Sequence, residues 1–178
     1  KVPTKSTFLT TDFSEKLVKD WETIKKGIRR AAHFLSDEKV FDNKRLPTEV
    51  ALYPLAALWG VAPDGLDAEG DARNLLRKYL WRAFFTDRYE RTSATRALVD
   101  YRQIKAFMLK ESDDQPIIFN SEEYALPETD ELKISGWPVR KDRLPRALLA
   151  ISLRAGGIDF ADGQFASRDN LSSREYHH

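Results

Sequence analysis

Apolar residues recur every three or four positions through most of this 178-residue chain. This spacing puts them on one side of an α-helix, so it favours a fold in which helices bury apolar stripes against one another. The pattern predicts one long helix over residues 12–36, with Asp12 and Glu15 as an acidic variant of the capping box. Its stripe consists of Phe13, Leu17, Trp21, Ile24, Ile28, Ala31 and Leu35.

Four more helices are predicted from the same spacing. The second begins at Leu46-Pro47, and we expect Pro54 to kink or interrupt it, because proline lacks the N–H that an inner helical turn needs. The third covers residues 67–85, and its apolar face is broad enough to be buried on two sides. The fourth covers residues 92–109, and the last covers residues 142–157, where two glycines end it.

The helical periodicity fails between Glu111 and Lys141. Turn residues such as Asp113-Asp114-Gln115-Pro116 predict a long surface loop that holds a strand or a short helix at most. The sequence therefore predicts a mostly α fold with little or no sheet, built as a helical bundle over residues 1–157 with one long loop. Residues 158–178 are expected to form an irregular segment.

Composition excludes several classes of protein. The chain has no cysteine, so it cannot contain a disulfide, a zinc-thiolate site or a cysteine nucleophile. Its 29 basic and 28 acidic residues nearly balance, so no global field would draw it to nucleic acid or to a membrane. No run of about 18 apolar residues occurs, and we expect a soluble cytoplasmic protein without a membrane partner. Because it begins at Lys1 rather than Met, we expect a fragment of a longer protein.

Two local clusters of basic residues are candidate DNA-binding sites, because cationic strips suit phosphates. The commoner interpretation is a solvated helix face, in which Glu22 lies four residues before Lys26 as an ordinary pair. The first cluster consists of Lys25, Lys26, Arg29 and Arg30, and the second consists of Arg140, Lys141, Arg143 and Arg146.

The aromatic and basic segment from Tyr79 to Tyr89 could stack bases beside cations, but helical spacing assigns most of its rings to the core. Trp81, Arg82 and Arg88 then remain as surface groups. His33 has no second ligand at a suitable spacing, and we interpret it as structural. The short sequence Asp162-Gly163-Gln164 is interpreted as a turn, and no Gly-rich phosphate-binding motif occurs.

Two of the three histidines are the last two residues, His177 and His178, and they follow Glu175-Tyr176. Such a pair can open an HNH nuclease motif, in which one imidazole activates water and neighbouring groups hold a divalent metal. The alternative is that the pair comes from a purification tag. The rest of an HNH motif does not follow in this chain, so we expect no complete nuclease site here.

Four short motifs occur in a fixed order along the chain. They are Arg45-Leu46-Pro47, then Phe84-Phe85-Thr86-Asp87-Arg88-Tyr89 with Asp100, then Ala155-Gly156-Gly157-Ile158-Asp159-Phe160, and finally Glu175-Tyr176-His177-His178. Taken in this order they resemble the middle of the GmrSD-type modification-dependent restriction endonucleases. In that family a ParB-like nucleotide-hydrolysing domain precedes a helical region, which leads into a C-terminal HNH nuclease with the sequence His-His-Ile-Phe-Pro or similar.

The resemblance implies a function in phage defence. His178 would be the general base and His177 its neighbour beside a divalent metal, Mg²⁺ or similar, in the hydrolysis of a DNA phosphodiester. The partners would be DNA and the flanking nucleotide-hydrolysing and nuclease domains. The family's Asp-Gly-Gln-Gln-Arg motif is missing, and we expect this chain alone to be inactive and to bind no metal. The alternative is a helical protein-interaction or regulatory domain without nuclease activity.

Overall fold

A computed structural model describes residues 3–43, 46–135, 142–158 and 162–168. These residues form a mostly α fold, as the sequence predicts, and their only β pairing is an isolated antiparallel bridge between Ile158 and Phe165. The elements are α1 (Lys5–Phe8), α2 (Thr11–Lys19), α3 (Trp21–Asp37), α4 (Leu52–Val61), α5 (Leu66–Phe85), α6 (Ser93–Met108), a 3₁₀ turn (Ile117–Phe119), α7 (Thr129–Ile134) and α8 (Arg143–Arg154).

Helix α5 contributes more buried residues to the core than any other described helix. It packs against α8 and against the 3₁₀ turn, while α3 packs on α4 and α4 packs on α6. Its apolar face buries Ala72, Leu76, Tyr79, Leu80, Ala83 and Phe84, while Leu75, Trp81 and Phe85 are partly buried. The prediction of a helix with a broad apolar face over residues 67–85 is confirmed, and so is the fourth helix, observed as Ser93–Met108.

Helices α3 and α4 approach each other closely because glycines face each other at their contact. A Cβ atom added to Gly27 would lie 2.3 Å from the carbonyl oxygen of Ala56. On the opposite helix, a Cβ added to Gly60 would lie 2.9 Å from the carbonyl oxygen of Thr23. The absent side chains therefore let the two backbones touch, and α3 buries the Gly27 face together with Ala31 and Phe34.

The predicted helix over residues 12–36 is wrong in one respect: it is two helices that meet at Asp20. Asp20 both ends α2 and begins α3, in keeping with the poor helix propensity of aspartate. The cap of α2 is not the predicted box, since the Thr10 side chain accepts a hydrogen bond from the backbone N–H of Phe13. Helix α2 buries no residue, and Ile28 in α3 remains 58 % exposed.

Two further expectations need correction. The second helix begins at Leu52, so Pro54 lies in its first turn, where no N–H is required, and the helix continues to Val61 without interruption. The loop after α6 is not wholly on the surface, because Ile118, Phe119 and Tyr124 are buried. Burial of these apolar side chains against α5 and α6 stabilises the middle of the loop.

Candidate functional site

The predicted catalytic pair, His177 and His178, lies outside the described residues, as do Arg140 and Lys141 of the second basic cluster. His33 is exposed on α3. Across the described ranges, histidine and acidic side chains do not group in threes in a way that could hold a metal ion. The chemistry implied for the histidine pair therefore stays a prediction.

The first basic cluster is on α3, and two of its lysines are engaged in exposed ion pairs. Lys25 pairs with Glu22 at 2.7 Å, and Lys26 pairs with Asp64 at 2.9 Å. Arg29 is exposed and forms no ion pair with the other described residues. Exposed pairs of this kind contribute at most about 1 kcal/mol, so a phosphate could displace them.

Arg30, the fourth member of this cluster, is held more firmly than the lysines. Its guanidinium pairs with Glu69 at 2.7 Å and with Asp64 at 3.4 Å, and it stacks over the Trp59 ring at 5.3 Å. Its side chain is only 18 % exposed. Arg30 therefore joins α3 to the start of α5, and this structural function competes with the predicted contact to DNA.

The described members of the second cluster, Arg143 and Arg146, bind the core from helix α8. Arg143 donates a 2.9 Å hydrogen bond to the carbonyl oxygen of Phe84 and pairs with Glu90 at 3.3 Å. Arg146 donates to the carbonyl oxygen of Leu46 at 3.2 Å. Leu46 and Phe84 belong to the motifs that carry the family resemblance, so these bonds join two distant motifs to the last helix.

A buried carboxylate, Glu38, forms a third connection to α8 that the sequence did not predict. Glu38 is 1 % exposed and lies just after α3. Arg77 of α5 and Arg154 at the end of α8 each donate to it at 2.7 Å, and the Trp81 indole N–H donates at 3.0 Å. We call these four residues the Glu38 cluster.

Charge and hydrogen bonding in the Glu38 cluster favour the ionised carboxylate. Burial alone raises the pKa of Glu38, but the hydrogen bonds from Trp81 and Arg77 and the charges of Arg77 and Arg154 outweigh it, so the pKa lies below its usual value of 4.5. The carboxylate is therefore ionised at neutral pH and joins the ends of α3 and α8 to α5.

Replacing Glu38 with glutamine should reduce the free energy of unfolding at pH 7 by about 2 kcal/mol, because two guanidinium groups lose a charged acceptor. The contribution of Glu38 is complete above the unfolded pKa, near 4.5, and is lost as the pH falls through the lower folded pKa. Urea unfolding between pH 7 and pH 3 measures this contribution, and the difference in unfolding free energy between variant and wild type should shrink as the pH falls. Glu111→Gln, at an exposed glutamate, is the control. A difference in unfolding free energy that does not vary with pH would contradict the assignment.

The charged residues Arg88 and Asp100 form a fully buried pair between the loop after α5 and helix α6. They are 3 % and 0 % exposed, and their closest nitrogen-to-oxygen distance is 2.7 Å. The Tyr89 hydroxyl donates to Asp100 at 2.7 Å and lies 2.8 Å from the Tyr79 hydroxyl, and Arg88 donates to the Tyr124 hydroxyl. Burial raises the pKa of both Tyr79 and Tyr89. These tyrosines therefore stay protonated and act as hydrogen-bonding groups, not as bases.

Arg82 is buried as well, and it binds the loop after α6. It donates to the carbonyl oxygens of Ile118 at 2.7 Å and Asn120 at 3.3 Å, and also to that of Tyr124. The expectation that Arg82 and Arg88 are surface groups is wrong, because both side chains are buried. The polar groups that bind them come from other parts of the chain. The signal was present in the spacing, since Arg82 follows the buried Tyr79 by three residues.

The turn predicted at Asp162-Gly163-Gln164 is confirmed. The Asp162 carboxylate accepts a 2.9 Å hydrogen bond from the backbone N–H of Gln164, and Gly163 has a φ of 70°.

Among the described helices, none combines the length and the apolar character needed to cross a bilayer. Comparisons of the chain with protein-family models, with curated proteins and with solved structures gave no match.

Proposed function

We propose that this chain is the helical middle region of a metal-dependent DNA restriction endonuclease of the phage-defence type, and that it places the nuclease relative to a nucleotide-hydrolysing domain. The observation that supports this proposal most is the attachment of α8. This helix binds three separate parts of the chain. Arg143 donates to the Phe84 carbonyl oxygen and Arg146 to the Leu46 carbonyl oxygen. Arg154 donates to the Glu38 carboxylate.

This attachment gives the fold a means of orienting the segment that comes after α8. Hydrogen bonds near the start and at the end of a helix restrict both its rotation and its tilt, and each bond with a charged donor contributes about 1.5–3 kcal/mol. Residues 155–157, the first part of the motif at residues 155–160 that carries the resemblance, directly follow the Arg154 contact. A domain connected through this segment would therefore inherit the orientation of α8.

The proposed reaction is hydrolysis of a DNA phosphodiester. His178 would take the proton from the attacking water, since imidazole titrates near neutral pH. His177 offers an imidazole nitrogen, which suits a divalent metal, and a bound metal would supply charge stabilisation to the leaving oxygen. One imidazole does not complete a metal site, and under this proposal the nuclease domain supplies the remaining ligands, so the chain alone should not cut DNA.

Cleavage of modified plasmid DNA tests the proposal. The polypeptide that contains this chain and the residues after His178 is incubated with Mg²⁺, nucleotide and DNA that carries modified bases. We expect nicking, and a rate reduced about 100-fold or more by His178→Ala, the scale typical of removing a general base. His33→Ala, at the exposed histidine on α3, should cut like wild type. Cleavage that survives His178→Ala would refute the proposed base.

A second candidate function is a protein-interaction or regulatory domain without nuclease activity. The apolar side of α2 and the start of α3 favours it, because Val18 is 77 % exposed and Trp21 is 50 % exposed, with Leu17 beside them. An exposed apolar patch of this kind is typical of a contact surface. If the longer polypeptide cuts no modified DNA but loses a protein partner on Val18→Asp, this second function is the correct one.

A further inference from the structure

A second surface feature is an apolar pocket of about 460 Å³ between α5, α7 and α8. This volume falls in the range of roughly 300–1,000 Å³ that small-molecule sites occupy. Its apolar lining consists of Trp81, Phe85, Leu126, Pro127, Leu132 and Ile151. Leu126 and Ile151 are 52 % and 37 % exposed, so two of these side chains are still open to solvent.

Two cations, Lys78 and Arg82, complete the lining, and no acidic residue contributes to it. Neither cation forms an ion pair with a carboxylate among the described residues. The Lys78 ammonium lies over the Phe119 ring at 4.5 Å, and Arg82 has only backbone carbonyl oxygens as partners. The other buried arginine, Arg88, is instead neutralised by Asp100.

Arg82 differs from Arg88 in that no carboxylate among the described residues pairs with its guanidinium. Arg82 is 9 % exposed, and burial lowers the pKa of its guanidinium, whereas the carboxylate of Asp100 raises the pKa of Arg88 against the effect of burial. A buried cation without a counter-ion is costly, and an anion that binds nearby would remove part of that cost.

We propose that this pocket binds a small molecule with an aliphatic body and a single carboxylate, the body lying against Trp81, Phe85 and Ile151 and the carboxylate next to Lys78 and Arg82. The apolar walls match the aliphatic body, and the two cations match the carboxylate. The proposal does not depend on the nuclease function, because it rests on the pocket alone.

The lining also distinguishes this ligand from a nucleotide. Trp81 and Phe85 offer aromatic surface, but the Trp81 N–H already donates to Glu38, and the other walls are hydrocarbon. A nucleobase placed here would lose hydrogen bonds to water without replacement, which costs about 1–3 kcal/mol for each buried group. An aliphatic chain has no such groups, so it suffers no such penalty.

Isothermal titration calorimetry of the whole chain tests the proposal with three probes that have nearly equal unbranched alkyl chains. Decanoate, decanol and decyltrimethylammonium carry an anionic, a neutral and a cationic head group. We expect saturable binding of decanoate, roughly fivefold tighter than decanol and tighter still than the cationic probe, as one partly exposed ion pair provides. Adenosine monophosphate is the comparison for the nucleotide alternative.

Two variants locate the binding. Lys78→Met should abolish the preference for decanoate over decanol, whereas Lys110→Met, a matched change at an exposed lysine after α6, should retain it. Ile151→Glu should remove decanoate binding by placing a negative charge in the lining, and a thermal melt of each variant checks that it folds. No saturable binding of decanoate, equal affinity for decanoate and decanol, a preference that survives Lys78→Met, or tighter binding of adenosine monophosphate would each overturn the proposal.

Discussion

Replacing Asp100 with alanine should lower the free energy of unfolding by about 3–5 kcal/mol, a large part of the stability of a domain of this size. Asp100 is fully buried, and it is the only carboxylate among the described residues that pairs with the buried guanidinium of Arg88. Its removal leaves a positive charge without a counter-ion and the Tyr89 hydroxyl without its acceptor. Urea unfolding at pH 7, followed by circular dichroism, measures the change.

A matched control and a double variant separate this effect from general damage. Asp87→Ala changes an exposed carboxylate one residue before Arg88, and it should alter stability by no more than about 0.5 kcal/mol. Replacing both Arg88 and Asp100 with leucine should cost less than the sum of the two single changes, because neither charge is then left alone. If Asp100→Ala unfolds at the same urea concentration as wild type, the pair does not stabilise the fold.

The helices at the centre of the fold could be predicted from the sequence because their burial is decided locally. In α5 the apolar residues cover so much of the helix that almost any packing would bury them, and the observed bounds Leu66–Phe85 nearly match the prediction. The split at Asp20 could not be predicted in the same way. The apolar stripe continues across it, and only the packing of α3 on α4 selects the face that contains Gly27.

Buried charges were missed because their partners are far away in the sequence. Glu38 and Arg154 are separated by 116 residues, so spacing along one helix cannot reveal the contact. Asp100 did carry a local signal, since it lies three residues after Ala97 and four before Ile104, both buried. A charged residue in the middle of an apolar stripe indicates a buried polar partner, although the sequence does not say which one.

The candidate site was predicted least completely. Spacing on α3 predicted a cationic strip, yet three of its four members already have partners within the chain, and Arg30 is attached to Glu69 and Trp59. Basic residues on a helix show only that a cation is present; whether it faces solvent or a carboxylate depends on tertiary contacts. The pocket beside Lys78 escaped prediction for the same reason, since its walls come from separate helices and a loop.

Replacing Gly27 with alanine should destabilise the fold by about 2–3 kcal/mol, although alanine is the better helix former by about 1 kcal/mol. The new Cβ atom would lie 2.3 Å from the Ala56 carbonyl oxygen and 2.9 Å from the Gly60 nitrogen, whereas ordinary contact begins at 3.4 Å. Both atoms belong to backbone, so no side-chain rotation can relieve the overlap. Helices α3 and α4 would have to separate, which would loosen the contact of Phe34 with Trp59, whose ring centroids lie 5.5 Å apart.

The same substitution at Gly70 in α5 provides the matched control, because nothing lies within 4 Å of a Cβ atom there. Gly70→Ala should therefore raise stability by about 0.5–1 kcal/mol through helix propensity alone. Thermal unfolding of the two variants beside wild type should move the midpoint in opposite directions. Two equal upward shifts would mean that α3 and α4 do not meet at Gly27, and the position of the N-terminal helices on the core would then be wrong.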